Sequence, residues 1–312
     1  MSPKLGYLLP TRENIMQGEP SGRILLDAAR RAADLGFDSV WVGDSLLARP
    51  RHDPLTLLAA VAGAIDRIEI GTAVLLPALR NPVLLAHQLA TLDQVSEGRL
   101  IVGAGIAADT PPIRHEFQAA GVAFEGRVGR FMEGMRLCKA LWSGEPIDWE
   151  GRWQMQQAVL APVPFRPGGP PIWIGTGHPN GIARTARHFD GWFPISPNPE
   201  QYGEMRQQLF DIAAEAGRDA SAFGFPYYLT VCVDDDVDAA NAAIDAYLAE
   251  YYGVPGEVMR SLQTTYGGPL DGALEFIRSF TARGVDHVVL RLVGDHDRQL
   301  QAFSEVRADM MG

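Results

Sequence analysis

Asp44 and Ser45 stand directly after an apolar run at residues 39–43, with His52 and Asp53 later in the same loop. A carboxylate at a strand end is placed to touch a ligand or move a proton, so Asp44 is a candidate for chemistry with Ser45 beside it. Asp53, immediately before Pro54, reads instead as a helix cap. A second group, Gly175-Thr176-Gly177-His178-Pro179-Asn180, leads into a helix beginning at about Pro179. Free backbone N–H groups there can hold phosphate, Thr176 adds a hydroxyl, and His178 lies where an anion could sit. A tight turn that needs glycine accounts for the same residues. A third group, Gly103-Ala104-Gly105-Ile106, closes the run 100–105. Small residues there let a ligand approach the backbone, although crowding between packed elements would select them too. His287 and Arg291 share one strand face with Val289. A buried arginine needs a carboxylate or a ligand phosphate, which makes Arg291 a further candidate. His115 and Glu116 follow the loop after the fourth strand, whereas His87 and His188 fall within helices.

These groups sit between alternating strand and helix signals. Strands are expected at 5–9, 39–43, 68–76, 100–105, 171–175, 191–195, 227–233 and 287–292. Helices are expected at 22–35, 54–65, 83–92, 127–142, 179–188, 199–216, 237–251, 270–283 and 297–310. The run 68–76 is almost continuously apolar, as befits a parallel strand buried on both faces. Asn81 and Pro82 supply a cap and a first helical residue for the helix at 83–92. Eight strands interleaved with helices predict an α/β chain folded as a TIM (β/α)₈ barrel, in one domain over 1–312. A doubly wound open sheet is disfavoured because no G-x-G-x-x-G follows the first strand. Two segments break the alternation and are expected as insertions after strands 4 and 7. One, 144–169, reads as a hairpin plus a Pro-rich loop; the other, 253–268, is a Gly-containing stretch between helices.

Composition excludes several classes. The 312 residues are 46% hydrophobic and 21% charged, ordinary globular values. A formal net charge of −11 without a Lys/Arg block argues against nucleic acid or an anionic membrane as partner. Cys138 and Cys232 are far apart and read as reduced core thiols. No secretory segment opens the chain, and the longest apolar stretch, 57–65, is too short to cross a bilayer, so a cytoplasmic protein is expected. No zinc-ligand spacing, G-x-S-x-G elbow or Walker loop occurs, and no metal is expected.

Many ordered segments then resemble one family. Asp53-Pro54, Ile70-Gly71-Thr72-Ala73-Val74, Asn81-Pro82, Leu92-Asp93, Ser96-Glu97-Gly98-Arg99-Leu100 and Gly103-Ala104-Gly105 are similar to the bacterial luciferase-like oxidoreductases. So are Glu116-Phe117, Gly121, Arg127, Glu133, Leu141-Trp142, Pro170-Pro171-Ile172-Trp173-Ile174-Gly175 and Asp190-Gly191-Trp192. The resemblance spans nearly the whole chain. It implies a TIM barrel that binds coenzyme F420 or, alternatively, reduced FMN. It also implies a cis peptide at Ala73-Val74, beside Thr72, supporting the cofactor ring, and a phosphate-binding segment at 175–180. Relatives that oxidise alcohols or sugar phosphates carry an Asp-His pair where this chain has Asp44-Ser45, and a Glu where it has Ile106-Ala107-Ala108. Without that base, hydride transfer to an activated acceptor is the expected reaction, Asp44 and Ser45 serving as ring or substrate contacts. The alternatives are a two-component monooxygenase using O₂ and reduced FMN, and a flavin-binding protein without turnover. The expected substrate is small, apolar or aromatic; a separate reductase supplies reduced cofactor, and helices near 83–92 could pair two copies as a homodimer.

Overall fold

The computed structural model describes residues 3–307. Among the described residues there are eleven strands: β1 Lys4–Leu8, β2 Ser39–Val42, β3 Glu69–Thr72, β4 Leu100–Ala104, β5 Ile147–Trp149, β6 Met155–Ala158, β7 Ile172–Ile174, β8 Gly191–Trp192, β9 Pro226–Val233, β10 Thr265–Gly268 and β11 His287–Leu292. Nine form one curled sheet in the order β10-β9-β11-β1-β2-β3-β4-β7-β8, every pair parallel. A bridge between Gly191 and Gly224 brings β8 against the residues just before β9. β5 and β6 make the separate antiparallel hairpin anticipated within 144–169.

Helix starts obey local chemistry. The Asp53 carboxylate accepts from Thr56 N at 2.8 Å ahead of Pro54, and Asn81 Oδ1 accepts from Val83 N at 2.9 Å ahead of Pro82. Four sequence expectations are corrected. The strand at 68–76 is shorter, because the chain leaves the ladder after Ala73, where the Ala73–Val74 peptide is cis, and rejoins it only at a bridge from Leu75 to Ala104. The strand at 191–195 also stops early, since Pro194 has no N–H to donate. The stretch 253–268 contains a short helix, Gly256–Arg260, and β10, which extends the sheet beside β9. His115 and Glu116, expected only to follow the loop after the fourth strand, lie in an additional helix, Pro111–Ala119. The last expected helix runs over His296–Glu305; its expected end at Met310 lies outside the described residues.

The two faces of the sheet bury different cores. Outside, helices cover it with aliphatic residues such as Leu25, Ala29, Leu58 and Leu89. Inside, Leu8, Trp41, Ile101, Trp173, Phe193 and Val289 form a separate cluster. The indoles of Trp41 and Trp173 stack with centroids 5.6 Å apart, a pairing that contributes about 0.5–1.5 kcal/mol beyond the area it buries. Glycines make room for them: a Cβ on Gly71 would lie 2.3 Å from Trp41, and one on Gly191 2.3 Å from Trp173. Below this layer, His287 Nε2 and Ser39 Oγ meet at 2.6 Å, both buried.

Candidate active site

The C-terminal strand ends form a rim above the aromatic layer. Backbone bonds tie three of them together: Leu75 N to Gly103 O at 2.7 Å, Gly105 N to Leu75 O at 2.8 Å and Gly175 N to Ala104 O at 2.9 Å. Ala73, Val74 and Tyr228 pack on the aromatic cluster and are only partly buried, as are Ile106, Gly175 and Thr176. The glycines serve packing first. A Cβ on Gly103 would lie 2.0 Å from Thr72 O, and one on Gly105 2.7 Å from a Val74 methyl. Val74 also sits 3.2 Å from the Cβ position of Gly175, so its side chain fills the space that both glycines leave. Thr72 is turned inward, its hydroxyl donating to Gly103 O at 2.7 Å.

Asp44 and Ser45 are fully engaged. Asp44 accepts from Arg80 Nη1 at 2.5 Å, Arg80 Nη2 at 3.1 Å and Leu76 N at 2.8 Å. Burial works against the Arg80 charge, but Asp44 and then Asp53 outweigh it and hold the guanidinium above its ordinary pKa. Ser45 Oγ donates to Glu116 Oε1 at 2.9 Å and accepts from Arg49 N at 2.9 Å. The same Glu116 oxygen accepts from Leu46 N and from Leu47 N, so a buried carboxylate pins the loop after β2.

The loop after β7 is closed on itself. His178 caps the helix Pro179–His188, its Nδ1 accepting from Asn180 N at 3.1 Å, while His178 N donates to Thr176 Oγ1 at 3.2 Å. Trp192 Nε1 donates to Thr176 O at 2.7 Å, anchoring the loop to β8. Gly177, His178 and Asn180 are exposed.

Arg291 is 2% exposed, as a candidate needing a carboxylate or a ligand anion would be, and meets no carboxylate directly among the described residues. Tyrosines take that place. Nε donates to Tyr247 Oη at 2.5 Å and Nη1 to Tyr252 Oη at 3.0 Å, and the guanidinium lies 3.8 Å from the centre of the Tyr251 ring. Burial opposes the charge, yet Tyr228, Tyr247, Tyr252 and Tyr251 more than offset it, so the Arg291 pKa is raised. For Tyr252, burial pushes the phenol up while Arg291, Arg49 and Arg51 pull it below its usual value. Sequence reasoning missed Arg80, Arg49, Arg51 and these tyrosines. The spacing Arg49-Pro-Arg51 in the β2 loop and Tyr247, Tyr251, Tyr252 on one helix were the available signals.

The family model for luciferase-like monooxygenases matches residues 3–307. The chain belongs to the luciferase-like monooxygenase family. This luciferase-like chain is 29% identical to an F420-dependent glucose-6-phosphate dehydrogenase of Rhodococcus erythropolis, over 96% of this chain and 95% of the relative. It is also 29% identical to a phthiodiolone/phenolphthiodiolone dimycocerosates ketoreductase of Mycobacterium kansasii, covering 71% of this chain and 67% of that one. An F420-dependent secondary alcohol dehydrogenase, solved with an F420-acetone adduct, superposes with a TM-score of 0.83 at 22% identity, over 99% of both chains, and shows the shared fold. Among the described residues of the luciferase-like chain, no helix is long and apolar enough to cross a membrane.

Proposed function

We propose that this chain is a coenzyme F420-dependent oxidoreductase that transfers hydride to a small organic acceptor at the rim of the sheet. The observation that carries the direction of reaction is the engagement of Asp44 and Ser45. Asp44 is bound by Arg80 and Leu76, and Ser45 by Glu116 and Arg49, so neither is free to take a proton from an alcohol. A reductase needs no base there.

The rim residues fit a flat cofactor ring. Ala73 and Val74 offer a partly buried apolar floor over the Trp41–Trp173 layer, with the partly buried Ile106 and Gly175 at adjoining strand ends, and the Val74 methyls close the gaps beside Gly105 and Gly175. These residues, with Gly103 and Ala104 behind them, would hold the ring; Thr176, Gly177, His178 and Asn180 would hold its phosphate. When bound in reduced form, F420 supplies hydride from its ring carbon. The chain's own part is to orient: Asp44 fixes Leu76 and Arg80 just after Val74, and Glu116 fixes the facing loop at Ser45. The reading includes a closed (β/α)₈ frame forming one domain, with 144–169 and 253–268 as additions, and a cytoplasmic enzyme whose cofactor is recharged by a separate reductase.

The test is a titration of the apo-protein with F420 and, separately, FMN, each in both oxidation states, followed by fluorescence quenching. Selective F420 binding, then turnover with alkene, imine or ketone acceptors, supports the proposal. Preference for reduced FMN with O₂ consumption would replace it by the two-component monooxygenase that the family description also fits. Binding of neither would remove the cofactor assignment.

A further inference from the structure

Four arginines from separate parts of the chain gather on one side of the rim. Arg12 lies after β1, Arg49 and Arg51 after β2, and Arg291 near the end of β11. Arg12, Arg51 and Arg291 lie 5.1, 5.6 and 3.8 Å from the centre of the Tyr251 ring, and Arg49 and Arg291 lie 4.8 and 5.4 Å from that of Tyr252. The two rings are themselves 4.8 Å apart. Among the described residues, none of the four has a carboxylate oxygen within 4.0 Å. Glu13 accepts a hydrogen bond from the Tyr247 hydroxyl and its charge also favours the Arg12 cation, without a direct ion pair to any of the four. The chain has 38 acidic against 27 basic residues, so the missing counterions reflect placement rather than scarcity.

Two observations make this more than cations resting on aromatic rings. Arg291 Nη2 is buried and has no acceptor, and a buried guanidinium nitrogen without one forfeits its hydration uncompensated. The cluster also reaches the floor: a Cβ on Gly43 would lie 2.2 Å from Arg51 Nη1 and 3.5 Å from Ala73 O. Burial, and then repulsion from Arg51 and Arg49, lower the pKa of Arg12 against the opposing pull of Tyr251 and Glu13, as expected of like charges held together.

We propose that Arg12, Arg49, Arg51 and Arg291 bind the anionic group of the substrate, a carboxylate or phosphate, beside the reacting centre. Guanidinium groups match the oxygens of both, and a single oxyanion would supply the missing acceptor for Arg291 and neutralise the crowded charges. The substrate is thereby an acid or a phosphate ester with its reducible bond near the charged end. The inference rests on the floor at Ala73 and Val74 being the seat of the cofactor.

Inorganic phosphate titrated into the apo-protein at constant ionic strength, read by tyrosine difference absorbance, tests it. The expected result is one saturable site, weakened about tenfold or more in Arg51→Gln and in Arg49→Gln, unchanged in the remote Arg67→Gln, and retained when F420 is bound. Circular dichroism of each variant establishes that it is folded. No saturable binding in the wild type, equal affinity in both folded variants, or displacement of phosphate by F420 would overturn the proposal; displacement would make the cluster a cofactor subsite. F420 quenching in the same samples separates the two readings. Phosphate binding without F420 binding keeps the anion site but overturns its placement beside a cofactor, and with it the cofactor assignment, whereas F420 binding without phosphate binding overturns the anion site alone.

Discussion

Replacing Arg80 with methionine removes both bonds to Asp44 while keeping much of the side chain's bulk. The Asp44 side chain is 2% exposed and that of Arg80 15%, so water has little access to the carboxylate left behind. Its remaining partner is Leu76 N at 2.8 Å. Breaking a buried pair by deleting one member costs about 3–5 kcal/mol. The longer contact from Arg80 to the half-exposed Asp53, at 3.4 Å, adds less than about 1 kcal/mol. Because the Leu76 bond survives, the low end applies, and we expect Arg80→Met to destabilise the protein by about 3 kcal/mol. For a chain of 312 residues that lowers Tm by roughly 4–5 °C. Adding Asp44→Leu should recover most of the loss, since the uncompensated charge goes with it. Urea unfolding monitored by circular dichroism reads the midpoint at constant m-value. A loss below about 1 kcal/mol for Arg80→Met, or a double variant no more stable than the single one, would refute the claim that this pair is a buried, mutually dependent unit.

Burial pushes the His287 pKa down to about 3, with Lys4 adding a smaller push in the same direction. The unfolded chain takes up a proton below pH ~6.5 that the native protein refuses, so the stability His287 allows is complete above that pH. It is lost by about 1.4 kcal/mol per unit as pH falls toward 3. His287→Asn should flatten that part of the stability–pH curve; an unchanged slope in a folded variant would show that His287 does not contribute to it. Glu116→Ala deprives Ser45, Leu46 and Leu47 of their common acceptor, a loss of about 1–3 kcal/mol locally. The Leu46 and Leu47 amides should then exchange with solvent about 10–100 times faster, and exchange at the wild-type rate would show that the loop is held by something else.

Local signals carried furthest in the sequence. Asp53 before Pro54 and Asn81 before Pro82 act within one helical turn, and their caps are formed as read. The two-residue period also holds in β11, where Val289 joins the inner aromatic cluster while its neighbours Val288 and Leu290 join the outer core, because strand parity is a property of the segment itself. What could not be read depends on chain separation. Arg80 meets Asp44 across 36 residues, and Arg291 meets Tyr247 across 44. No periodicity encodes such meetings; only the order of strands in the sheet creates them. The helix Pro111–Ala119 was obscured differently, by a Pro-Pro pair that suggests a break yet is tolerated where the first-turn N–H groups have no partners. Gly103 and Gly105 illustrate a third limit, since the sequence shows that side chains are missing there but not whether a ligand or a neighbouring strand claims the space.

The stacked indoles of Trp41 and Trp173, closed off beneath by Ser39 and His287, make the interior of the sheet a cup rather than a tunnel. A cup has one opening. Anything that reaches its floor enters and leaves by the rim, so with the cofactor seated on the floor as proposed, a substrate lying above it would have to leave first.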